Sequence, residues 1–207
     1  MGSRAEGIGG DVDLLQVLWQ RWFEAGRNLP ADSWALPGPG VWSVKELYAH
    51  VSRGARATVE LLECDKASGP PDVSDAAAYF GRLMASHDPQ SGVAAAAKEW
   101  SEARSSADLT MEFARATGSG LPLARRNGDR LLRTVAGSMR AGDYVLTRVV
   151  EATVHLLDLR DFAPGVSGPP ERALMRTVDV LVALADPENV VRIATGRLSA
   201  AVFPVLR

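Results

Sequence analysis

The chain has 207 residues, of which 46% are hydrophobic and 23% charged, and its formal net charge is −2. This composition is typical of a globular protein, and it argues against intrinsic disorder and against the strongly basic surface of a nucleic-acid-binding protein. No apolar run approaches the roughly 20 residues that cross a bilayer, and a single cysteine without a signal peptide favours a cytoplasmic protein.

The first two predicted helices are long and follow one another closely. Apolar residues at helical spacing predict the first helix over residues 11–27, with Asp11 or Asp13 as its N-cap. A Pro- and Gly-rich loop follows at residues 36–40. Ser43 and Glu46 have the spacing of a capping box, so Ser43 should cap the second helix, which extends to about residue 66.

A long connection separates the second helix from the third. It contains a Gly-, Pro- and Asp-rich linker and a possible short helix over residues 76–86. The third long helix is predicted over residues 92–116, with four residues facing inward: Ala96, Trp100, Ala103 and Ala107. An Asn127–Gly128 turn between short apolar segments predicts a small hairpin.

The last predicted elements complete the bundle and add a short extension. The fourth helix should run from about Asp143 to just before Pro164, and a fifth should cover residues 170–185. Residues 190–193 have a strand-like pattern. We therefore predict an all-α protein: a four-helix bundle over residues 1–161 with a long crossover between helices 2 and 3. Residues 162–207 then form a C-terminal helix and tail that pack on the bundle without being an independent domain.

The fourth predicted helix carries an unusual polar stripe. Its members, Arg148, Glu151, His155 and Asp158, recur at steps of three and four and occupy an arc of about 80°. Most other positions on this helix are apolar. The simplest interpretation is the solvent face of an amphipathic helix, on which Glu151 and His155 are neighbours only because they are four residues apart.

The second predicted helix offers a partner for this stripe. Its charged residues share one arc, whereas His50 lies outside that arc beside Gly54 and Ala57. His50 is therefore expected to face inward, either as an ordinary core histidine or as a ligand. Together with Glu151 and His155 it gives two imidazoles and one carboxylate, a set that binds zinc or non-heme iron. The remaining histidine, His87, is predicted to lie at the surface.

Two motifs resemble those of a known family. The segment VWSVKELYAH, residues 41–50, resembles the W-T-V-x-D-L-x-x-H signature of the DinB-like superfamily and, more narrowly, of the mycothiol-dependent maleylpyruvate isomerase family. Residues 143–159 are similar to that family's T-R-x-x-E-x-x-V-H-x-x-D-L. The resemblance covers roughly residues 10–160 and implies a DinB-like bundle. It also implies that His50, Glu151 and His155 bind a divalent metal, usually zinc.

The resemblance also implies a chemistry. Its cosubstrate would be mycothiol, a low-molecular-weight thiol, and coordination to a metal would hold that thiol as a thiolate at neutral pH. The expected enzyme is a thiol transferase or isomerase that acts on a small electrophilic metabolite. Full-length family isomerases carry a second, α/β domain that contributes to the active site. The stretch after Asp161 is too short for such a domain, which argues against maleylpyruvate itself as the substrate.

Three further residues are candidates for catalytic roles. Asp158 could orient an imidazole N–H, and Arg148 could anchor a carboxylate or simply pair with Glu151 or Asp143. The segment of residues 194–197 resembles a motif near the end of shorter family members. Arg197 in this segment could supply a cation to an anionic substrate, or it could equally be structural.

Other functions remain open at this point. One is a metal-free DinB-like binding or regulatory module, and another is a Lewis-acid enzyme of specialised metabolism that does not use mycothiol. A non-heme iron oxygenase is a further alternative, but only the two imidazoles and one carboxylate support it. The expected partners are a small electrophile and a low-molecular-weight thiol, and the protein is expected to be a monomer or a homodimer.

Overall fold

The computed structural model describes residues 4–64, 67–85 and 89–199, and within them the chain is mostly helical. Eight α-helices, one 3-10 helix and one two-stranded sheet are found in this part of the chain. Their bounds are α1 (Arg4–Asn28), a 3-10 helix (Ala31–Ala35), α2 (Val44–Glu63), α3 (Ala76–Ala85), α4 (Pro89–Glu102), α5 (Ser106–Arg126), β1 (Leu131–Thr134), β2 (Gly137–Arg140), α6 (Ala141–Phe162), α7 (Glu171–Leu184) and α8 (Pro187–Ala194). The predicted all-α class is confirmed.

Helices α1, α2, α5 and α6 form the bundle. α1 packs against α5 and α6, and α2 packs against the same two helices. Three aromatic side chains in the centre, Trp22, Tyr48 and Phe113, are fully buried and meet edge to face, with ring centroids 5.6 Å and 5.8 Å apart along the series. The connection from α2 to α5 contains α3 and α4, as the predicted long crossover requires.

The start of α2 follows the sequence prediction. The backbone N–H of Glu46 donates to the Ser43 hydroxyl oxygen (3.2 Å), and the backbone N–H of Ser43 donates to a Glu46 carboxylate oxygen (2.7 Å). This capping box satisfies two backbone donors that a helix start leaves free. It therefore fixes the register of α2, and with it the direction in which His50 points.

The predicted third helix is wrong in its boundaries. The structure divides it into α4, which ends at Glu102, and α5, which Ser105 begins with a second capping box to Asp108. Ala103 and Ala107, predicted to face inward, are exposed, and Ala97 is buried instead. The Ser-x-x-Asp spacing stabilises a new helix start, and this outweighs the alanine-rich periodicity on either side.

Helix α5 also continues past its predicted end. It runs through Gly118 and Gly120 to Arg126, although these glycines predict a break. Gly120 lies where α5 approaches α1 and α2, because a Cβ atom there would be 3.3 Å from Val59 and 3.7 Å from the Trp19 ring. Close packing of the bundle therefore accounts for a glycine inside this helix.

The hairpin is present, but its turn lies later than predicted. β1 and β2 are antiparallel, with Leu131 opposite Arg140 and Thr134 opposite Gly137, which has a positive φ of 119°. Asn127 ends α5 instead, where its side-chain amide donates to the Leu123 carbonyl oxygen (2.8 Å). The sequence signal of an Asn–Gly pair thus marks a helix end rather than a hairpin turn.

Helix α7 packs on the bundle, and two predictions need correction. α7 packs on α6 and α3, and Arg176 of α7 binds the buried Asp11 carboxylate at 2.8 Å and 3.0 Å. Because α1 begins at Arg4, both Asp11 and Asp13 lie inside it, and neither caps its start. Residues 190–193, predicted as a strand, belong to α8, because Asp186 caps that helix and Pro187 begins it. Across the described residues, none of the helices is both long and apolar enough to span a membrane.

Candidate metal centre

Three side chains from two helices converge on one point of the bundle. His50 lies on α2, and Glu151 and His155 lie one turn apart on α6. Each of these residues offers one ligand atom, and the three atoms lie within 4.8 Å of one another. His50 Nε2 is 3.2 Å from Glu151 Oε2, and His155 Nε2 is 3.5 Å from the same oxygen. The structure therefore brings together the three residues that the sequence singled out.

These distances fit a metal site. Zinc–nitrogen and zinc–oxygen bonds of 2.0–2.2 Å in tetrahedral geometry place neighbouring ligand atoms about 3.4 Å apart. The distances from Glu151 Oε2 to His50 Nε2 and to His155 Nε2 lie on either side of that value. The side chains are partly buried, with exposed fractions of 17% for His50, 28% for Glu151 and 18% for His155. The polar stripe on α6 is thus not a solvent face, and one side of the cluster stays open to a ligand.

The surroundings favour ionised Glu151 and neutral His50. Burial alone would raise the pKa of Glu151, but contacts with His155 and His50 and the nearby charge of Arg148 hold that pKa well below its usual value. Burial lowers the pKa of His50, and the neighbouring His155 adds to this effect. A carboxylate and a neutral imidazole are the forms that bind metals.

Asp158 hydrogen-bonds to His155. It lies one turn further along α6, and its Oδ2 is 3.0 Å from His155 Nδ1, so the Nδ1–H donates to the carboxylate and Nε2 faces Glu151. Carboxylate–histidine pairs of this kind commonly support metal ligands. Burial by itself would lower the pKa of His155, but hydrogen bonds to Asp158 and Glu151 outweigh it and raise the pKa to about 9.

Arg148 lies one turn before Glu151 and is partly buried. Its Nε donates to the Thr147 hydroxyl (3.1 Å), its guanidinium bonds to the Tyr79 hydroxyl, and it lies 4.9 Å from the centre of the Tyr144 ring. Among the described residues it forms no direct ion pair with Glu151, so the first of the two suggested pairings is not seen. Tyr79 comes from α3, in the crossover, and no sequence pattern pointed to it.

Trp42 was not singled out as a site residue, yet it contacts both imidazoles. Its ring centroid lies 5.0 Å from that of His50 and 5.9 Å from that of His155. The loop before α2 holds it in place, since the Gly38 N–H donates to the Trp42 carbonyl oxygen (2.7 Å). Its position as the tryptophan of the motif that ends at His50 was the only signal, because loop residues carry no periodicity.

Arg197 is not brought to this cluster. It is exposed after the end of α8, and its guanidinium donates to the Thr195 carbonyl oxygen (3.3 Å). α8 packs mainly against α7, which supplies none of the three converging side chains. A catalytic role for Arg197 therefore stays a prediction without a contact to support it. His87 lies outside the described residues, as does the tail after residue 199.

Comparison with known proteins places the chain in a family. A family model described as the mycothiol maleylpyruvate isomerase N-terminal domain matches residues 15–160. The match spans more than half of the chain, from within α1 to near the end of α6, and it includes all three converging side chains. No curated protein and no solved structure shows a significant match to the chain.

Proposed function

Because the chain belongs to the mycothiol maleylpyruvate isomerase N-terminal domain family, we propose that it is a divalent-metal-dependent thiol transferase or isomerase. Its substrate is a small electrophilic metabolite, and its thiol cosubstrate is mycothiol. The observation that carries the proposal is the convergence of His50, Glu151 and His155 from two helices.

The donor set suits zinc. Two imidazole nitrogens and one carboxylate oxygen are the protein ligands of several catalytic zinc sites, which keep a further position open for a substrate or water. A bound divalent metal lowers the pKa of a coordinated thiol, so that the thiol is held as a thiolate at neutral pH.

The chain's own residues prepare this chemistry. Asp158 accepts a hydrogen bond from His155 Nδ1–H, so Nε2 is the nitrogen that would bind the metal once its proton is lost, and Trp42 packs beside both imidazole rings. A thiolate that adds reversibly to a cis-alkene isomerises it, whereas attack that displaces a leaving group gives a thiol conjugate. The family name supports mycothiol as the thiol, and the open side of the cluster supports access for a small molecule.

A thiol assay tests the proposal. Zinc-loaded protein is incubated with mycothiol and an activated cis-alkene. The loss of free thiol and the mass of a conjugate report transfer, and chromatographic separation of the cis and trans alkenes reports isomerisation. We expect turnover with mycothiol that falls to the uncatalysed rate in His155→Ala. Glutathione in place of mycothiol is the control for thiol selectivity.

The outcomes separate the alternatives. Protein that binds zinc but turns over neither thiol with a panel of alkenes and alkyl halides contradicts the proposal and favours a Lewis-acid enzyme that does not use mycothiol. Protein that does not bind a divalent metal at all favours a metal-free binding module.

A further inference from the structure

Arg148 is a partly buried cation whose direct partners are neutral. Within the described part of the chain these are the Thr147 and Tyr79 hydroxyls and the face of Tyr144. Tyr79 and Tyr144 are themselves buried, so the guanidinium is held in one place by rigid aromatic groups. A guanidinium has five N–H donors in a planar fork, and two hydroxyl partners leave donors for another group.

The helix opposite Arg148 leaves space in front of it. Gly54 of α2 faces the guanidinium, and a Cβ atom at this position would lie 3.5 Å from Arg148 Nη1. A half-open cavity of about 20 Å³ lies here, lined by His50, Glu151, Gly54 and Arg148 among others. A cavity of this size holds one water-sized polar group, such as one oxygen of a carboxylate.

The charges at this position favour an anion. Arg148 carries one positive charge, and Glu151 and Asp158 carry one negative charge each. A divalent cation at the candidate metal centre would bring the total to +1, in surroundings where burial strengthens the attraction of an opposite charge. A planar oxyanion matches the fork of Arg148 better than a spherical anion does.

We propose that Arg148 and the space at Gly54 form an anion subsite beside the metal centre, which binds a carboxylate of the electrophilic substrate. This inference rests on the proposed function, and it restricts the substrates to carboxylated electrophiles. Gly54 is the specificity-determining position, since any larger residue would place a side chain in front of the guanidinium.

Acetate and its neutral analogue acetamide test the subsite. Each is titrated into zinc-loaded protein, and tryptophan fluorescence reports binding, because Trp19 lines the cavity and Trp42 contacts both imidazoles. We expect saturable binding of acetate but not of acetamide. Arg148→Met and Gly54→Ala should each weaken acetate binding about tenfold or more, as expected for a lost charge-assisted hydrogen bond.

Two controls separate this effect from damage to the fold. Gly54→Ala adds a methyl group at ordinary contact distance inside a helix, so it should raise the melting temperature while it weakens acetate binding. Gly118→Ala, which meets no neighbour in α5, should raise the melting temperature without affecting acetate. Arg53→Met removes an exposed charge next to Gly54 and should leave acetate binding unchanged.

The inference is overturned if the zinc-loaded protein does not bind acetate more tightly than acetamide. It is equally overturned if acetate binds with the same affinity in wild type, Arg148→Met and Gly54→Ala, since the metal alone then holds the anion. Either result leaves the proposed thiol chemistry intact. Failure of the protein to bind zinc contradicts the proposed function instead.

Discussion

At the scale of single residues, we expect the hydrogen bond from Asp158 to determine which nitrogen His155 presents to Glu151. Asp158→Asn keeps the shape of the side chain but removes its charge, which weakens the hold on His155 Nδ1–H. We expect zinc affinity to fall about 10- to 100-fold, in line with other carboxylates that support metal-bound histidines. Competition for zinc with a chromophoric chelator measures the affinity of each variant. Asp161→Asn, an exposed change on the same helix, should have no effect, and equal losses in both variants would contradict the assigned role.

Zinc binding should depend on pH through His155. Its pKa of about 9 lies above the ordinary value of 6.5, so the metal-free fold favours the protonated ring. That contribution to stability is complete below about pH 6.5 and is lost as the pH rises through about 9. Zinc must displace this proton, so its apparent affinity should rise about tenfold per pH unit up to about pH 9. Zinc titrations and thermal unfolding of the metal-free protein across this range measure both effects. An affinity independent of pH would contradict the account.

The residues of the site could be predicted to different extents. The spacing of Glu151 and His155 along one helix places them together regardless of the rest of the fold. His50 could be assigned to the inner side of its helix, but only the structure shows that it meets the other two. Trp42 and Tyr79 reach the site from a loop and from the crossover, where neither period nor charge pattern marks a direction.

At the scale of elements, the capping box of α2 connects helix stability to the site. Ser43→Ala removes the acceptor for the Glu46 N–H and should lower the free energy of unfolding by about 1 kcal/mol. Because His50 lies in the second turn of the same helix, zinc affinity should fall as well. Chemical denaturation and zinc titration measure the two quantities.

Ser105→Ala provides the matched control. It removes the same kind of cap from α5, where the Asp108 N–H donates to the Ser105 hydroxyl (3.1 Å). We expect a similar loss of stability with unchanged zinc affinity, since α5 supplies no ligand. A loss of zinc affinity in both variants, in proportion to stability, would show that the α2 cap has no particular link to the site.

The sequence predicted well those helices whose ends are set by nearby caps, glycines and prolines. The cap at Ser43 and the ends of α2, α6 and α7 agree with the sequence to within a few residues. The prediction of one long third helix was wrong because Ser105 caps a new helix within an alanine-rich stretch. The predicted end of α5 was wrong because packing against α1 and α2 stabilises the helix through glycines that would break it in isolation.

At the scale of the whole molecule, Arg176 joins the C-terminal extension to the bundle. Its bidentate contact with Asp11 connects α7 to α1, and Asp11 is only 9% exposed in its side chain. Arg176→Met leaves that carboxylate buried without its partner, and should lower the free energy of unfolding by roughly 1–2 kcal/mol, since solvent near the arginine screens part of the interaction. Zinc affinity should not change.

The same experiment tests whether residues 162–199 unfold with the bundle. We propose that they form one cooperative unit, so that unfolding of wild type and Arg176→Met should each show a single transition in circular dichroism and in tryptophan fluorescence. Arg172→Met, at an exposed position on α7, is the control and should unfold like wild type. Two separate transitions in wild type would contradict a shared unit.

The zinc content of the purified protein tests the central claim most directly. Mass spectrometry of wild type supplied with zinc and then dialysed should find about one ion per chain, as a site with three protein ligands retains its metal. His50→Ala, Glu151→Gln and His155→Ala should each lose it while keeping the helical circular dichroism spectrum. Wild type that retains no zinc, or variants that retain as much as wild type, would contradict the assignment of this cluster as a metal centre.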